Sequence, residues 1–214
     1  MAGSKEPVIL KVDASKLISR LKPASWQNRI MQALKEWAVV CRALEEGRQV
    51  VLLRKGGILE YRQGFEVKHD RFLLFPTFEH QSKDHLQKDY ADKLDEVLKE
   101  QPALGSNKIT AYAQAVEVKE MTDRSAVHSL AKYHIWNESY VNARIDYNPK
   151  KPMSVILLRV FKLDSPIMVD SKPEWAGCKS WIPLDMEASG KPALNDSQFD
   201  RIATEVREVL SIAA

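Results

Sequence analysis

The sequence predicts one α+β domain whose sheet is mostly antiparallel and curls toward a small pseudo-barrel with flanking helices. Two observations predict this fold class. Short runs rich in Val, Leu and Phe alternate with amphipathic helical stripes along the chain, and no internal repeat or low-complexity linker divides them. We place the domain at residues 25–214 and expect residues 1–24, which lack clear periodicity, to form an N-terminal arm.

Composition is consistent with a globular protein that works in a reducing compartment. Of the 214 residues, 44% are hydrophobic, and the formal net charge is +3. The longest apolar runs fall far short of the roughly 20 residues that cross a bilayer, and the N-terminus lacks a signal-peptide pattern. We therefore expect a cytoplasmic protein with no membrane segment. Cys41 and Cys178 are too few for a disulfide framework, so both are expected to be free thiols.

The first element is predicted to be a helix that starts at Trp26 and ends at the "EEG" of residues 45–47. Its apolar residues recur at intervals of three and four: Ile30, Ala33, Leu34, Trp37, Cys41 and Leu44. A rival interpretation makes "WAVVCRAL" and "QVVLLR" the two arms of a hairpin, because valine favours strands.

Two strands are expected next. Residues 49–54 are a strand closed by a turn at Gly56 and Gly57, and "FEVKHDRFLLF" is its predicted antiparallel neighbour. An amphipathic helix follows within residues 83–100, and residues 109–118 form another strand.

The second half is predicted to hold two short helices within residues 123–145, the second of them capped by Asn137. Residues 153–163 are the clearest strand of the sequence, directly after Pro152. A closing helix at about 196–212 is expected to be capped by Asn195 or Asp196.

The "RKGG" turn is the first candidate for ligand binding. Arg54 and Lys55 stand beside Gly56 and Gly57, whose backbone can lie close to an anion. A plain hairpin turn explains the same residues equally well. The spacings of the Walker and dinucleotide-binding glycine motifs are missing, so the sequence gives little support to nucleotide triphosphate use.

The "PTFEHQ" segment is the second candidate. Thr77, Glu79 and His80 are hydroxyl, acid and base groups that could take part in catalysis, with Lys55 as a fourth member, while Gln81 could read a polar ligand. On an extended chain Thr77 and Glu79 point to one side and His80 to the other. The alternative is a network that caps neighbouring backbone groups.

We expect neither a metal nor another cofactor. The five-residue separation of His80 and His85 fits no common zinc spacing. The "EVK" at residues 117–119 resembles half of a nuclease signature, but the required upstream aspartate is missing.

Aromatic and basic residues interleave in the second half of the chain. Trp136 lies in such a stretch, and Lys179 and Trp181 lie together in "GCKSWIPL". Rings that stack on bases, beside cations that contact phosphates, are typical of single-strand or flipped-base recognition. Core packing is the alternative for most of these rings.

Four motifs follow one another in the chain: "ALKEWAVVCRALEEGRQVVLLRKGGI", "RFLLFPTFEHQ", "YHIWNESYVNARIDYNPKKPMSVILLRVFKL" and "GCKSWIPL". Together, over about residues 33–184, they resemble a bacterial family known as domain of unknown function 1802. Some relatives are associated with restriction-endonuclease-like domains, which implies a nucleic-acid defence context by association.

Three stretches follow in order: "ALEEGRQVVLLR", "ITAYAQAVEVKEM", and "VILLRVFKLDSPIMVD" with the later "CKSWIPL". This arrangement is distantly similar to the ASCH branch of PUA-like domains. That resemblance implies a small curled barrel with a cleft for RNA or a modified base. A few members of that superfamily hydrolyse modified nucleosides with a Lys, Thr and Glu set, to which Lys55, Thr77 and Glu79 correspond by residue type. The expected lysine of the "G-K" turn is replaced by Arg48 and Gln49.

The leading functional hypothesis is a nucleic-acid-binding module for RNA or DNA, recognising a modified or flipped base. Arg54 and Lys55 would contact phosphate, and Trp136 or Trp181 would stack. Two alternatives remain open at this point: a hydrolase or nuclease acting on nucleic acid or modified nucleosides, and a non-catalytic protein-interaction partner. Whether the protein is an enzyme is not decided by the sequence.

Overall fold

The computed structural model of the protein describes residues 32–55, 70–177, 179–184 and 186–212. The predicted arm at residues 1–24, the residues Gly56 and Gly57, and Cys178 lie outside this part of the chain.

Seven strands form one sheet. They are β1 (Gln32–Trp37), β2 (Val51–Arg54), β3 (Arg71–Thr77), β4 (Ser106–Met121), β5 (Met153–Asp170), β6 (Trp181–Pro183) and β7 (Gly190–Pro192). The order across the sheet is β2-β5-β4-β3-β1-β6, and β7 lies against β5. The pairs are antiparallel except for β1 with β3, which is parallel. The predicted fold class, α+β with a mostly antiparallel curled sheet, is confirmed.

Five helices in the described residues flank the sheet. They are α1 (Ala38–Glu45), α2 (Lys88–Lys99), α3 (Arg124–His128), α4 (Glu138–Asp146) and α5 (Asp196–Ile212). Short 3-10 turns occupy Lys83–His85, Ala131–Tyr133 and Pro173–Trp175. None of the helices in the described ranges is long and apolar enough to cross a membrane.

Strand β1 lies between β3 and β6 and separates two hydrophobic cores. Leu34 belongs to the larger core with α1, whereas Ala33 belongs to a smaller core with Trp175 and Ile182. Successive strand residues point to opposite faces, so β1 contributes to both cores at once.

The predicted helix from Trp26 to Leu44 is wrong over its central part, because residues 32–37 form β1 and only residues 38–45 are helical. The rival hairpin is wrong too, since "WAVVCRAL" is mostly helix α1. A strand buried on both faces lacks the polar and apolar alternation that identifies half-buried strands. Trp26 and Ile30 lie outside the described residues.

The predicted pairing of residues 49–54 with "FEVKHDRFLLF" is wrong for residues 71–75, and residues 65–69 of that segment lie outside the described part of the chain. Strand β2 pairs with β5, where Val51 lies opposite Leu157. Strand β3 instead lies between β1 and β4. Partners distant in sequence are selected by tertiary packing, which local strand propensity does not encode.

Three predicted helix ends agree with the structure, whereas the strands predicted at 109–118 and 153–163 extend further, to Ser106–Met121 and Met153–Asp170. Gly47, with φ of +67°, follows α1 as the "EEG" motif indicated. Asn137 Oδ1 accepts a hydrogen bond from the Tyr140 backbone at 2.9 Å and caps α4. At α5, Asn195 and Gln198 each accept a hydrogen bond from the other's backbone N–H, which is a reciprocal capping arrangement.

Candidate functional site at the ends of β1 and β2

A buried ion pair joins two strands that are distant in the sheet order. Arg54 Nη1 at the end of β2 lies 2.9 Å from Glu36 Oε1 in β1, and the two side chains are only 17% and 6% exposed. Three strands separate β2 from β1 along the sheet. This contact therefore shows that the sheet curls until the end of β2 approaches β1.

Helix α4 supplies two further polar groups. The guanidinium carbon of Arg144 lies 5.9 Å from the centre of the Tyr140 ring. Burial raises the pKa of the Tyr140 phenol, the nearby Arg144 and Arg54 charges oppose that rise, and the Glu36 carboxylate adds to it. The phenol thus lies in the field of the buried ion pair and of Arg144.

An aromatic cluster borders these charges. Trp136 stacks on Tyr140 with ring centres 4.3 Å apart and meets the edge of Trp37 at 5.1 Å. His85 lies 4.9 Å from Tyr140 and stacks against Trp37 at 6.0 Å. Trp136 is only 6% exposed, whereas Trp37, His85 and Tyr140 are half-buried. We call the ion pair, Tyr140, Arg144 and these rings the strand-end site.

Lys55 follows Arg54 but its ammonium group is directed inward. Lys55 Nζ donates a hydrogen bond to the backbone oxygen of Ile145 in α4, and the residue is 6% exposed. Burial lowers the pKa of the ammonium group. Lys55 therefore ties the end of β2 to α4.

The "PTFEHQ" residues are distributed over the end of β3 and the turn that follows. Thr77 lies opposite Trp37 in the parallel β1–β3 register. Glu79 and His80 are exposed, and His80 has a φ of +59°, which is typical of a turn. Gln81 Oε1 accepts a hydrogen bond from the Val39 backbone at 3.1 Å, in the first turn of α1. Gln81 Nε2 is buried without a hydrogen-bond partner among the described residues.

The residues of "GCKSWIPL" reach the other edge of β1. Trp181 in β6 lies opposite Leu34, and its ring meets the edge of Phe72 at 5.2 Å. Leu34 and Glu36 share one face of β1, so the Trp181 indole lies on the face that carries the ion pair. Lys179 Nζ donates to the backbone oxygen of Glu174 at 2.6 Å.

The structure thus brings some of the predicted residues together. Arg54 and Trp136 belong to the strand-end site, Gln81 and Thr77 contact or pair with the residues around Trp37, and Trp181 lies further along the same face of β1. Within the described part of the chain, Lys179, Glu79 and His80 form no hydrogen bond or ion pair with residues of the strand-end site. Within the described residues, no hydrogen bond or ion pair connects Lys55, Thr77, Glu79 and His80 to one another.

A family model described as Domain of unknown function (DUF1802) matches residues 33–205. The chain belongs to this family. The resemblance noted in its four motifs is therefore confirmed, and the match extends past residue 184 into helix α5 of this DUF1802 protein.

Three solved structures from Zymomonas mobilis are similar to this DUF1802 protein. The first is an ASCH protein, 10% identical, with a TM-score of 0.40 over 69% of this chain and 91% of that chain. A serine-to-alanine variant of it is 11% identical, with a TM-score of 0.40 over 68% and 91%. A tyrosine-to-phenylalanine variant is 11% identical, with a TM-score of 0.39 over 68% and 93%. A search of curated proteins gave no match.

Sequence reasoning missed Glu36 and Trp37 because both were placed in the predicted helix. Tyr140 and Arg144 belong to the aromatic and basic stretch around Trp136 but were not singled out. The local sequence gives no clear signal for Glu36, because half-buried Lys35 and Trp37 flank it.

Proposed function

We propose that this DUF1802 protein is a nucleic-acid-binding module and that the strand-end site recognises a single base. The observation that carries the proposal is the buried Glu36–Arg54 pair beside partly exposed aromatic rings. An acceptor and a forked donor next to flat rings are the groups that read one unstacked base.

The rings supply the stacking surface. Trp136 is buried and fixes Tyr140 from one side, while Trp37, His85 and Tyr140 keep part of their surface exposed. A base stacked on such a ring gains about 1–3 kcal/mol. Because the cluster is anchored by packing, the rings need little reordering when a base arrives.

The polar groups supply recognition and attraction. The Glu36 carboxylate accepts hydrogen bonds from amino or imino groups, and the Arg54 guanidinium donates to ring nitrogens or carbonyls. Gln81 Nε2, buried without a partner among the described residues, adds a donor near the start of α1. Beyond α4, the side chains of Lys150 and Lys151 follow Arg144 in sequence and suit contact with a phosphate backbone.

Fluorescence anisotropy with labelled oligonucleotides tests the proposal. We expect single-stranded RNA or DNA to bind with an affinity that falls as salt rises. Lysine and arginine side chains that contact phosphates displace the counterions held by the nucleic acid, and added salt opposes that release. Arg144→Gln should weaken binding and make the logarithmic salt slope shallower by about one. Arg201→Gln, at an exposed position of α5, is the matched control and should leave the slope unchanged.

The stacking role is tested with two tryptophans. Trp37→Leu should weaken binding about 5- to 150-fold, which corresponds to the loss of one stacked base. Trp181→Leu, on the same face of β1 but packed against Phe72, should have a smaller effect. Thermal melts of each variant show whether it folds. Equal and negligible retention of single-stranded, duplex and modified oligomers at low salt would reject the proposal.

A restriction or defence context for such a module stays a prediction from the sequence resemblance. The enzymatic alternative also stays a prediction, and turnover that survives Glu79→Ala on any substrate would count against it.

A further inference from the structure

A concave surface lies along α1, apart from the strand-end site. It is a groove of about 480 Å³, a volume that includes space open to solvent. Its lining comes from α1, from the end of α2 and from β4, with Phe78 beyond the end of β3. We call it the α1 groove.

One face of α1 lines the groove. The four helical residues are Ala38, Cys41, Arg42 and Glu45. Their spacing of three and four places them in a single stripe, while Val40 and Leu44 on the opposite side are completely buried in the core.

Glu45 provides the deepest charged group of the groove. Its Oε1 accepts a hydrogen bond from the Thr110 hydroxyl of β4. The β4–β5 register is interrupted at Thr110, since Ile109 lies opposite Ile167 and Ala111 opposite Lys162. Such irregularities re-aim a side chain, and here the hydroxyl is aimed at the carboxylate.

The rim carries cations and the walls are apolar. Arg42 Nη2 forms an ion pair with Glu100 Oε2, in which the two side chains are 36% and 54% exposed. Lys108 stands exposed at the edge. Phe78 and Val97 are among the apolar wall residues.

We propose that the α1 groove binds a small zwitterion with an apolar side chain, of the apolar α-amino acid class. Its ammonium group would contact the Glu45 carboxylate, its carboxylate would contact the Arg42 guanidinium, and its side chain would lie along Phe78 and Val97. Nucleic acid is not involved, so this site is independent of the strand-end site.

The spacing of the charges supports this ligand class. Residues three apart on a helix have Cβ atoms about 5–6 Å apart, so one small molecule can reach Arg42 and Glu45 together. An exposed ion pair such as Arg42–Glu100 contributes only about 0–1 kcal/mol, so the ligand's carboxylate can replace Glu100 at little cost.

The partial burial of the Glu45 carboxyl group also supports a ligand with an ammonium group. Burial raises the pKa of this carboxyl group, although the Thr110 hydroxyl and the Arg42 and Lys162 charges partly offset the rise. A carboxylate that has lost part of its hydration gains from a directly bound ammonium group more than an exposed carboxylate does.

The experiment is a titration followed by NMR amide shifts, with three probes that share a phenylethyl group and differ in their charged groups. L-Phenylalanine carries both charges, 2-phenylethylamine lacks the carboxylate, and 3-phenylpropionate lacks the ammonium group. We expect L-phenylalanine to bind about tenfold more tightly than either single-charge probe, because each charge-assisted hydrogen bond adds affinity.

Two variants separate the two charges. Glu45→Gln should weaken L-phenylalanine and 2-phenylethylamine but leave 3-phenylpropionate unchanged. Arg42→Gln should weaken L-phenylalanine and 3-phenylpropionate but leave 2-phenylethylamine unchanged. Glu46→Gln and Arg48→Gln, at exposed neighbouring positions outside the groove, are the matched controls and should bind all three probes as the wild type does.

Thermal melts confirm that each variant is folded before it is titrated. Equal affinity for the three probes would overturn the proposal, and so would the absence of amide shifts in the wild type at millimolar L-phenylalanine. Loss of binding in the control variants would also overturn it, because it would place the probes elsewhere.

Discussion

Glu36 and Glu45 lie at opposite ends of the same short helix, and their carboxylates are compensated in different ways. Glu36, two residues before α1, is 6% exposed and has Arg54 at 2.9 Å. Glu45, the last residue of α1, accepts a hydrogen bond from the neutral Thr110 hydroxyl. The position at the C-terminal end of a helix is unfavourable for a negative charge, whereas the position before its start is favourable.

This difference teaches what each carboxylate can still do. The Glu36 carboxylate lies in an ion pair with the Arg54 cation, and this pair links β1 to β2 across the curled sheet. Glu45 keeps the ability to bind a cation, because a hydroxyl donates one hydrogen bond and brings no net charge. Glu36 therefore belongs to a fixed pair with Arg54, whereas among the described residues Glu45 forms no ion pair of its own.

Breaking the Glu36–Arg54 pair should have the largest effect. Arg54→Met leaves a carboxylate buried without its cation, so we expect the free energy of unfolding to fall by about 3–5 kcal/mol. Urea denaturation followed by tryptophan fluorescence measures it. The double variant Glu36→Leu with Arg54→Met removes both charges and should regain most of the loss. A single variant as stable as the wild type would show that the pair does not close the sheet.

His134 extends the comparison to a buried group that stays neutral. It is 3% exposed, its Nδ1 accepts a hydrogen bond from the Trp136 backbone at 3.2 Å, and burial, with a smaller contribution from His128, lowers its pKa from 6.5 to about 4. The unfolded chain therefore takes up a proton before the native protein does. Stability is fully present above pH 6.5 and is lost as the pH falls toward 4, by up to roughly 3 kcal/mol.

His134→Asn keeps an acceptor for the Trp136 backbone and removes the titration. We expect its unfolding free energy to depend less on pH between 6.5 and 4, as measured by denaturation at several pH values. His80→Asn is the control, because His80 is exposed and asparagine tolerates its positive φ. An unchanged pH profile in His134→Asn would contradict the expectation.

Replacing Glu45 should have the smallest effect on the unfolding free energy. The contribution of Glu45 should fall as the pH rises, which is the opposite of the His134 contribution. Because its pKa is raised in the native state, the native protein binds a proton that the unfolded chain has already released. This contribution to stability is present below the ordinary pKa of 4.5 and is lost as the pH rises through the native value. Glu45→Gln should remove this loss, so its stability relative to the wild type should increase from acidic to neutral pH, in melts at matched ionic strength. A constant difference across that range would show that Glu45 titrates normally.

Local sequence patterns were sufficient to predict the elements whose contacts lie within a few residues along the chain. A closing helix was predicted at about 196–212, where α5 lies, Asn137 was recognised as a cap, and Gly47 marked the end of α1. In each case the relevant contacts lie within a few residues, so the sequence carries the signal directly.

The strand-end site could not be predicted in the same way. Glu36 and Arg54 meet only because the sheet curls across three intervening strands. The sequence around either residue does not indicate that their side chains lie close together. Strand β1 itself was hidden, because burial on both faces gives its apolar residues a spacing that also suits a helix. The contact between β1 and β2 across the curled sheet could therefore be identified only from the structure.

Cys41 lies between the two acidic ends of α1, and its thiol is affected by both. Burial raises its pKa well above the ordinary value, and the charges of Glu36 and Glu45 raise it further. A thiol reacts with electrophiles only as the thiolate, so this sulfur should resist maleimides and peroxides while the fold is intact. Its rate of alkylation would report how often α1 opens from the sheet, which gives the protein a built-in probe of local unfolding.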